Sequence, residues 1–418
     1  MATVGGMTEP FLEQRRAAAA AAWNLDSGVV LVTAGDEIPV PGRGDRTYPF
    51  RAHSEYFYLA DRERPGGVLA YAPADGWVEF VAPVTADELL WTGLEGDREG
   101  VPEGTRPLGE LEAWVGGRPV RRLGAAADAD VELRDALIRV RRPKDDIELE
   151  RMRTAAEATR AGFEELVPLI AAGSTERELQ VALDAAFLRN GGDFLAFETI
   201  LAAGDHAAVL HFSPTARELR DGDLLLVDAG AEHRGYASDV TRTYAVGGTF
   251  TAEQALVHDT VRRAGETAIA ACRPGTDWHD VHRAAALVVA EGLVELGVLR
   301  GSPETLVESG AATLFFPHGV GHLVGLGVRD TGPASDEARK PVPGLPNLRI
   351  DIPLGPRQAW TVEPGIYVVP ALLSRERGRD GVDWDRVDEL HGFGGVRLEQ
   401  NVLITDDGCE ILTAAVPL

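Results

Sequence analysis

The sequence predicts a mixed α/β protein of two domains, a small one followed by a larger one that carries the functional site. As far as about residue 140, short apolar and β-branched runs alternate with helical stretches, which is typical of a compact α/β domain. Beyond that point, a helix–helix–strand–strand order occurs twice, around residues 145–245 and 251–404. This repeated order indicates a second domain made of two related halves, with a site where the halves meet.

Composition narrows the class of protein. With 44 % hydrophobic and 26 % charged residues, the 418-residue chain is an ordinary globular sequence and long enough for two domains. Its 41 basic and 66 acidic residues give a net charge of −25, which argues against nucleic acids and anionic membranes as partners. Its two cysteines provide neither a disulfide framework nor a zinc knuckle.

The sequence also bears on where the protein works. It contains no run of about 18 apolar residues that would span a membrane, and its N-terminal residues lack the charged and apolar regions of a signal peptide. Met7 is interpreted as the natural start, with residues 1–6 added before it. Together with the low cysteine content, these features predict a cytoplasmic protein.

The elements of the first domain follow from propensities and turn signals. An alanine-rich stretch after Glu-Gln-Arg-Arg favours a helix over residues 8–22. Val29–Thr33 is a short apolar, β-branched run and is predicted to be a buried strand. Strands Gly67–Ala72 and Trp77–Ala82 flank the turn Pro-Ala-Asp-Gly, which predicts a hairpin, and Thr85–Trp91 is predicted to begin a helix.

The second domain is predicted to begin after the run Arg139-Val-Arg-Arg-Pro-Lys. Proline ends the preceding element there, so the predicted domains span residues 1–140 and 141–418. Acids follow at once, and the helix dipole favours acids in a first helical turn. The helices are predicted, in order, from Asp145 to about Ile170, from the capping residue Thr175 to Arg189, and onward from Thr251 and from Asp277.

Two aspartates stand at the centre of the larger domain, in residues 221–244. The apolar run Leu224–Val227 ends in Asp228, a turn with Gly235 follows, and a second β-prone run carries Asp239. Acids are disfavoured in strands, and a buried, unpaired carboxylate costs free energy. One such aspartate is normally exposed or salt-bridged. Two that converge are best satisfied by a metal ion, so the pair predicts a metal site.

Three stretches downstream add polar side chains to apolar or glycine-rich segments. His318 and His322 lie among glycines that let the backbone approach a neighbour closely. Glu363 and Glu399 each interrupt an apolar run that is predicted to be a strand. Taken singly, such a residue is usually a hydrogen-bonded structural group. Taken with the two aspartates, these residues indicate one set of metal ligands.

This set resembles the metal site of the pita-bread metallopeptidases, the M24 family that includes aminopeptidase P, prolidase and methionine aminopeptidase. The residues that match the family's five ligands one by one are Asp228, Asp239, His322, Glu363 and Glu399. The resemblance covers about residues 140–408, and the aromatic stretch 48–59 is similar to the N-terminal domain of the proline-specific branch. It implies a small creatinase-like α/β domain followed by a pita-bread domain with pseudo-two-fold halves.

The resemblance implies two divalent metal ions. Four carboxylates and one imidazole form an oxygen-rich site of charge −4, which suits Mn²⁺ first, with Co²⁺, Zn²⁺ or Fe²⁺ as alternatives. By resemblance, Asp239 and Glu399 bridge both ions, Asp228 completes one metal, and His322 and Glu363 complete the other. The metals are expected to activate a bridging water, with Glu363 as its general base and later the proton donor to the leaving nitrogen.

Further residues are assigned by resemblance to catalysis and substrate binding. His211 matches the family's substrate-facing histidine, and His318 matches the first histidine of its His-Gly-x-x-His motif; core histidines are the alternative for both. Proline-specific members carry another histidine seven residues after the metal-binding one, where this chain has Arg329. Arginine cannot shuttle a proton but binds carboxylates through two hydrogen bonds. We therefore expect Arg329 or Arg397, with Asp330, to hold an anionic group; a structural arginine–carboxylate pair is the alternative.

A loop-like segment, Leu372–Gly381, places three arginines after the predicted Glu363 strand. Arg375, Arg377 or Arg379 is expected to close over the free carboxylate of a short peptide. A solvated surface loop is the alternative. Tyr367, which follows Glu363 in the same apolar run, is a further candidate for substrate binding.

These features predict a cytoplasmic, homodimeric metallopeptidase that hydrolyses Xaa-Pro bonds. The first expectation is a Xaa-Pro dipeptidase, with short proline-containing peptides as substrates. A Xaa-Pro aminopeptidase, acting on longer peptides, is the alternative. A non-enzymatic binding protein and a creatinase-like C–N hydrolase are disfavoured because all five ligands are present.

Overall fold

The computed structural model describes residues 5–91, 93, 98–337 and 342–418. Residues 1–4, which belong to the stretch before Met7, lie outside this part of the chain. The chain divides into two compact units, Met1–Arg141 and Arg142–Leu418. No helix in the described ranges is long and apolar enough to cross a membrane.

The first unit is a mixed sheet with helices packed against it. Its elements are, in chain order, α1 (Gly5–Trp23), β1 (Val29–Thr33), α2 (Ser54–Ala60), β2 (Val68–Ala72), β3 (Gly76–Val81), α3 (Ala86–Trp91), β4 (Arg106–Pro107), α4 (Leu111–Val115), β5 (Val120–Gly124) and α5 (Val131–Arg141). The strands lie in the order β4-β3-β2-β1-β5, with β1 antiparallel to β2 and parallel to β5. The helix, strands and hairpin predicted in this region are therefore confirmed.

Burial of apolar side chains explains why this sheet forms. Val29 and Leu31 of β1 and Val68 and Ala70 of β2 are buried together with Phe80 of β3. Neighbouring residues of a strand point to opposite faces, so positions two apart share a face. The β-branched runs of the sequence thus supply the apolar side of the sheet.

The first half of the second unit is a helix pair followed by antiparallel strands. Its elements are α6 (Asp146–Leu166), α7 (Glu176–Arg189), β6 (Phe194–Leu195), β7 (Ile200–Ala203), β8 (Leu224–Ala229), β9 (Ala231–His233), β10 (Tyr236–Ala237) and β11 (Val240–Ala245). Both helices begin at capping boxes, Asp145 with Glu148 and Thr175 with Glu178. These side chains satisfy amides that have no partner in the first helical turn.

The second half also begins with a helix pair and ends in antiparallel strands, with three further short helices. Its elements are α8 (Ala252–Ala271), α9 (Trp278–Glu295), α10 (Pro303–Glu308), β12 (Ala359–Val362), β13 (Gly365–Tyr367), α11 (Pro370–Arg375), α12 (Trp384–Glu389), β14 (Gly395–Arg397), β15 (Gln400–Ile404) and β16 (Cys409–Ile411). The halves carry the three-stranded sheets β11-β8-β7 and β12-β15-β16. The predicted fold class, with its two related halves, is confirmed.

Hydrogen bonds join the two halves where β11 runs beside the segment from β14 to β15. Thr243 Oγ1 donates to the carbonyl oxygen of Arg397 over 3.0 Å, and the amide of Glu399 donates to the carbonyl oxygen of Thr241 over 3.0 Å. The buried guanidinium of Arg242 donates to the carbonyl oxygens of Thr241 and Glu399. The acids of the first half are thereby brought next to those of the second.

Three of the four predicted metal-binding acids lie at strand ends or breaks and not inside strands. Asp239 precedes β11, Glu363 lies between β12 and β13, and Glu399 lies between β14 and β15, whereas Asp228 is within β8. A continuous strand alternates its side chains between two faces. A break releases each acid from that alternation, so that all of them can turn toward one cavity.

Candidate metal centre

All five predicted metal ligands line one cavity of about 520 Å³ in the second unit. Two of them come from the first half of that unit and three from the second half. The same cavity is lined by His211, His318, Arg329, Arg349 and Arg397. Its apolar wall includes Phe197, Leu210, Phe212, Val328 and Ile350. The structure thus brings the predicted ligands and most of the predicted catalytic residues into one place.

Asp239, His322 and Glu399 form the closest group. Each offers a ligand atom, and these atoms all lie within 4.8 Å of one another. His322 Nε2 lies 3.4 Å from Asp239 Oδ2 and 3.9 Å from Glu363 Oε1. Such separations fit side chains that converge on a common cation, whose bonds to nitrogen and oxygen ligands are about 2.0–2.2 Å long.

The orientation of His322 is fixed by its neighbours. Its Nδ1 donates to the carbonyl oxygen of Leu323 over 3.0 Å, so Nε2 faces the acids, the arrangement expected of a metal-binding imidazole. Burial lowers the pKa of His322, but its hydrogen bond to Asp239 and the charge of Glu363 outweigh burial and raise it. Gly321 lies so close to β12 that a Cβ there would be 2.0 Å from the carbonyl oxygen of Thr361. The glycine is needed for this close approach.

Two polar side chains position the acids at the centre of the group. The amide of Asp239 donates to Asn401 Oδ1 over 2.9 Å, and Asn401 Nδ2 donates to the carbonyl oxygen of Asp239 over 2.7 Å. Thr241 Oγ1 donates to Glu399 Oε2 over 2.7 Å. Each acid predicted to bridge two metals is therefore held by a residue of the other half.

Asp228 is paired with Arg397, which was predicted to bind substrate. Arg397 Nη2 donates to Asp228 Oδ2 over 2.6 Å, Nη1 donates to the Tyr367 hydroxyl over 2.8 Å, and Nε donates to Thr241 Oγ1 over 3.0 Å. Only 3 % of Arg397 is exposed. Its guanidinium therefore orients Asp228 and Tyr367, and it also lines the cavity; the predicted contact with a substrate anion stays a prediction.

Crowding raises the pKa values of the carboxyl groups. Burial raises the pKa of Asp228 to about 7; Asp239 adds to this rise and Arg397 opposes it. Burial also raises the pKa of Glu363, and it raises that of Glu399 further because Asp239 and Glu363 are close. Asp228 Oδ1 and Glu399 Oε1 are buried without a hydrogen-bond partner among the described residues. Oxygen donors of this kind, next to an imidazole, fit divalent cations.

His318 is engaged through both ring nitrogens. Its Nδ1 lies 2.9 Å from the carbonyl oxygen of Gly319, and its Nε2 lies 3.0 Å from the Tyr367 hydroxyl. Burial and the charge of Arg397 lower the pKa of His318 to about 3, so the ring is neutral. Tyr367 is fully buried and does not line the cavity. Tyr367 was predicted to contact substrate. In the structure its hydroxyl instead hydrogen-bonds His318 and Arg397.

His211 is open to the cavity. Its side chain is exposed and lines the cavity wall. Partial desolvation and the positive charges of Arg397, Arg329 and Arg349 lower the pKa of His211. The imidazole is therefore neutral near pH 7 and can donate one hydrogen bond to a bound molecule.

The segment that carries Arg329 is held by charged residues at the start of the second unit. Lys144 Nζ lies 2.5 Å from Asp330 Oδ2, and both side chains are at most 1 % exposed. Arg142 donates to Glu337 and, over 3.2 Å, to the carbonyl oxygen of Gly332. Asp330 is thus bound to Lys144, while the exposed Arg329 lines the cavity.

The arginine-rich segment Leu372–Gly381 does not reach the cavity. Arg375 is exposed at the end of α11. Arg377 forms two hydrogen bonds with Asp388, of 2.8 and 2.6 Å, and Arg379 contacts Glu376 and the carbonyl oxygen of Ser309. None of the three lines the cavity, so the structure places them away from the carboxylate site that they were predicted to form.

Some residues at the site were not predicted from the sequence. Thr241 stands two residues after Asp239, and Asn401 stands two residues after Glu399. Side chains two apart along a strand share a face, so this spacing was a usable signal. Arg349 and Lys144 offered none, because their positions depend on contacts between distant segments.

Two family models match the chain. The model described as metallopeptidase family M24 matches residues 150–406. The model described as aminopeptidase P, N-terminal domain, matches residues 12–106. Together the matches span most of both compact units.

Similar proteins carry consistent names. A protein of Pyrenophora teres f. teres, named a probable Xaa-Pro aminopeptidase, is 32 % identical over 88 % of this chain and 85 % of its own length. Among solved structures, aminopeptidase PepP of Pseudomonas aeruginosa is 29 % identical, with a TM-score of 0.80 over 98 % of this chain and 95 % of that one. Zinc-substituted Escherichia coli aminopeptidase P in complex with product is 27 % identical, with a TM-score of 0.82 over 97 % and 95 % of the two chains.

Divalent cations are expected to raise the melting temperature of the protein. A ligand that binds only the folded state stabilises it by mass action, by about 2.7 kcal/mol at a free concentration 100-fold above Kd. Asp239→Asn removes a central ligand and is expected to abolish most of this rise. Thermal unfolding of metal-stripped protein with and without MnCl₂, together with metal content per chain, provides the measurement.

A second group of potential ligands provides the matched control. Asp277, His279 and Asp280 also place ligand atoms within 4.8 Å of one another, at an exposed position. Asp280→Asn is expected to leave the metal-induced shift unchanged. If the shift survives Asp239→Asn and disappears in Asp280→Asn, the metal binds at this second group, and the predicted metal site is wrong.

Lys144→Met is expected to destabilise the second unit by about 3–5 kcal/mol, because it removes the cation of a buried ion pair. The double variant Lys144→Met/Asp330→Leu removes both charges and is expected to be close to wild type. Urea unfolding followed by tryptophan fluorescence compares the three proteins. Equal losses in the single and double variants would contradict the role given to the ion pair.

Proposed function

The chain belongs to metallopeptidase family M24, and we propose that it is a Xaa-Pro aminopeptidase, which removes the N-terminal residue from peptides whose second residue is proline. One observation carries this proposal: an aminopeptidase P N-terminal domain at residues 12–106 precedes a family M24 domain at residues 150–406 in a single chain. The predicted resemblance to the pita-bread metallopeptidases is thereby confirmed. Relatives named Xaa-Pro aminopeptidase, similar over most of the chain, support the choice of substrate.

The first expectation from the sequence, a Xaa-Pro dipeptidase, is not confirmed. The names of the relatives and of the similar structures favour the alternative, an aminopeptidase. The arginines that suggested recognition of a dipeptide carboxylate, Arg375 and Arg377, do not line the cavity. An aminopeptidase must leave room beyond proline for a longer peptide.

The five ligands are proposed to hold two divalent cations. Asp239 and Glu399 would be shared, Asp228 would complete one metal, and His322 and Glu363 would complete the other. The buried, unpartnered oxygens Asp228 Oδ1 and Glu399 Oε1 support this assignment. Divalent cations held in such a site polarise the scissile carbonyl and lower the pKa of water.

Glu363 is proposed to carry the proton. Its carboxylate lies at the cavity wall, with Oε2 3.8 Å from His318 Nδ1 and Oε1 3.9 Å from His322 Nε2. A carboxylate in this position can accept a proton from water and return it to the leaving nitrogen of proline. His318 is neutral and hydrogen-bonded to Gly319 and Tyr367. It therefore adds no positive charge beside the Glu363 carboxylate.

Of the two predicted catalytic histidines, we assign contact with the substrate to His211. Both nitrogens of His318 already have partners, whereas His211 is exposed to the cavity. A neutral imidazole can donate to the oxygen of the scissile carbonyl as negative charge develops there. The apolar wall, with Phe197 and Phe212, suits the proline ring and an apolar Xaa side chain.

Dipeptidase activity is the second candidate, and one observation favours it. Arg329 and Arg349 both line the cavity and both are exposed. Guanidinium groups bind carboxylates through paired hydrogen bonds, so these two residues are suited to the free carboxylate of a short peptide.

We further propose Mn²⁺ as the native metal, a homodimer and a cytoplasmic location. Mn²⁺ follows from the oxygen-rich donor set, and the homodimer from the prevalence of two-fold symmetric assemblies. The location follows from the lack of a disulfide framework. Metal analysis of the purified protein tests the identity of the metal, and sedimentation velocity tests the homodimer.

The Mn²⁺-loaded protein is expected to hydrolyse Ala-Pro-Ala with a kcat/KM at least equal to that for Ala-Pro, Met-Pro or Leu-Pro. A site for an aminopeptidase binds residues after proline, and that binding energy lowers the barrier. Steady-state kinetics on the four peptides, and on amidated Ala-Pro-Ala, provide the measurement. Turnover of dipeptides alone would establish a dipeptidase. In that case Arg349→Ala should raise KM for dipeptides while leaving kcat nearly unchanged.

His211→Ala is expected to lower kcat by about 10²–10³-fold, the range for loss of one hydrogen-bond donor to a developing negative charge. His391→Ala, at an exposed position outside the cavity, serves as the control and should retain full activity. The two variants are compared in kcat and KM on Ala-Pro-Ala. A kcat for His211→Ala within a factor of three of wild type would contradict the role proposed for His211 and show that another residue makes the substrate contact.

A further inference from the structure

The two cysteines of the chain are neighbours in the second unit, although they are far apart in the sequence. Cys272 caps the end of α8, and Cys409 begins β16. Cys272 Sγ lies 3.4 Å from the carbonyl oxygen of Ala268, and Cys409 Sγ lies 3.5 Å from that of Ile269. Both thiols therefore lie over the last turn of one helix, next to the carbonyl oxygens of consecutive residues.

Such a pairing is improbable for cysteines placed independently. A buried residue touches about 6–12 others, so in a chain of 418 residues with two cysteines the chance that one touches the other is roughly 1–3 %. The contact joins a helix to an outer strand, two elements that no local pattern connects. The sequence had indicated only that the cysteines form no disulfide framework.

We propose that Cys272 and Cys409 are a redox-active pair that forms an intramolecular disulfide in the presence of a peroxide or a small-molecule disulfide. The bond needs an approach of two sulfurs that lie beside consecutive carbonyl oxygens of the same helical turn. The pair lies outside the cavity that holds the proposed metal ligands. This inference therefore does not depend on the proposed peptidase function.

The two thiols differ in the way that such a reaction requires. Cys409 is half-buried and Cys272 is buried. Interaction with the Cys272 thiol lowers the pKa of Cys409 to about 7, burial opposes this, and the charge of Arg273 adds to it. Interaction with Cys409, together with burial, raises the pKa of Cys272. Cys409 is thus the accessible thiolate that attacks, and Cys272 is the thiol that resolves the intermediate.

The reaction balances with hydrogen peroxide as the oxidant. The Cys409 thiolate attacks one peroxide oxygen, the O–O bond breaks, and hydroxide leaves as water after taking up a proton, which yields a sulfenic acid. Cys272 then attacks the Cys409 sulfur, the S–O bond breaks, and a second water leaves as the S–S bond forms. Two thiols lose two electrons in total, and one peroxide gains them. With a small-molecule disulfide, two exchange steps release its two thiols instead.

The disulfide would connect the end of α8 to β16, the outer strand of the sheet β12-β15-β16. The closed loop contains His322, Glu363 and Glu399. A cross-link that closes a long loop reduces the freedom of the unfolded chain and stabilises the folded state. Oxidation is therefore expected to protect the half of the unit that supplies three of the five proposed ligands.

The test uses the full-length, reduced protein. It is treated with a small excess of hydrogen peroxide, blocked with iodoacetamide and digested, and the peptides are analysed by mass spectrometry. A cross-linked peptide containing Cys272 and Cys409 is expected, reversible by dithiothreitol, with a rise in Tm of about 5 °C. Recovery of Cys409 as sulfinic acid with Cys272 unmodified, or only disulfides between two chains, would overturn the proposal.

A matched variant separates the roles of the two thiols. In Cys272→Ala, Cys409 is expected to stop at the sulfenic acid, trapped by dimedone, without a rise in Tm. Alkylation of Cys409 in the wild type should accelerate as pH rises through about 7, because the thiolate is the reactive form. In Cys272→Ala the midpoint should move upward toward an ordinary thiol. An unchanged midpoint would show that the thiols do not interact and would also contradict the proposal.

Discussion

Four carboxyl groups and one imidazole converge in a single buried cavity, and their mutual repulsion is the constraint on which the second unit depends. One carboxylate, Asp228, is neutralised by the buried Arg397. Burial raises the pKa values of Glu363 and Glu399, and Glu399 also accepts a hydrogen bond from Thr241. Such a cluster is costly without positive charge. Divalent cations supply that charge. The clustering of carboxylates that is unfavourable without metal is therefore the arrangement that favours metal binding.

The framework around the cavity serves this convergence. Breaks between strands free Glu363 and Glu399 from the alternation of a continuous sheet. Contacts across the pseudo-symmetric halves then fix the acids: Thr241 binds Glu399, and Asn401 binds the backbone of Asp239. Each half holds the acid contributed by the other. A site divided in this way forms only when both halves are folded and docked.

The side of the cavity that carries the exposed arginines is organised differently. Arg329 and Arg349 are exposed there, whereas Arg397 is tied to Asp228 and Tyr367. The segment carrying Arg329 is anchored by the buried pair Lys144–Asp330. The acidic interior is thus suited to metal and the basic rim to an anionic group of the peptide. The length of peptide that fits between them distinguishes the aminopeptidase from the dipeptidase.

Local sequence patterns were enough to predict the order of elements and the helix starts, and they indicated the five candidate ligands. The capping box at Thr175 forms as predicted, because it depends on residues three positions apart. The partners of the charged and reactive side chains were decided only by the tertiary structure. Arg397 pairs with Asp228, Arg377 with Asp388 and Cys272 with Cys409. These choices depend on desolvation and on distances between segments remote in the chain, and neither quantity is contained in a local pattern.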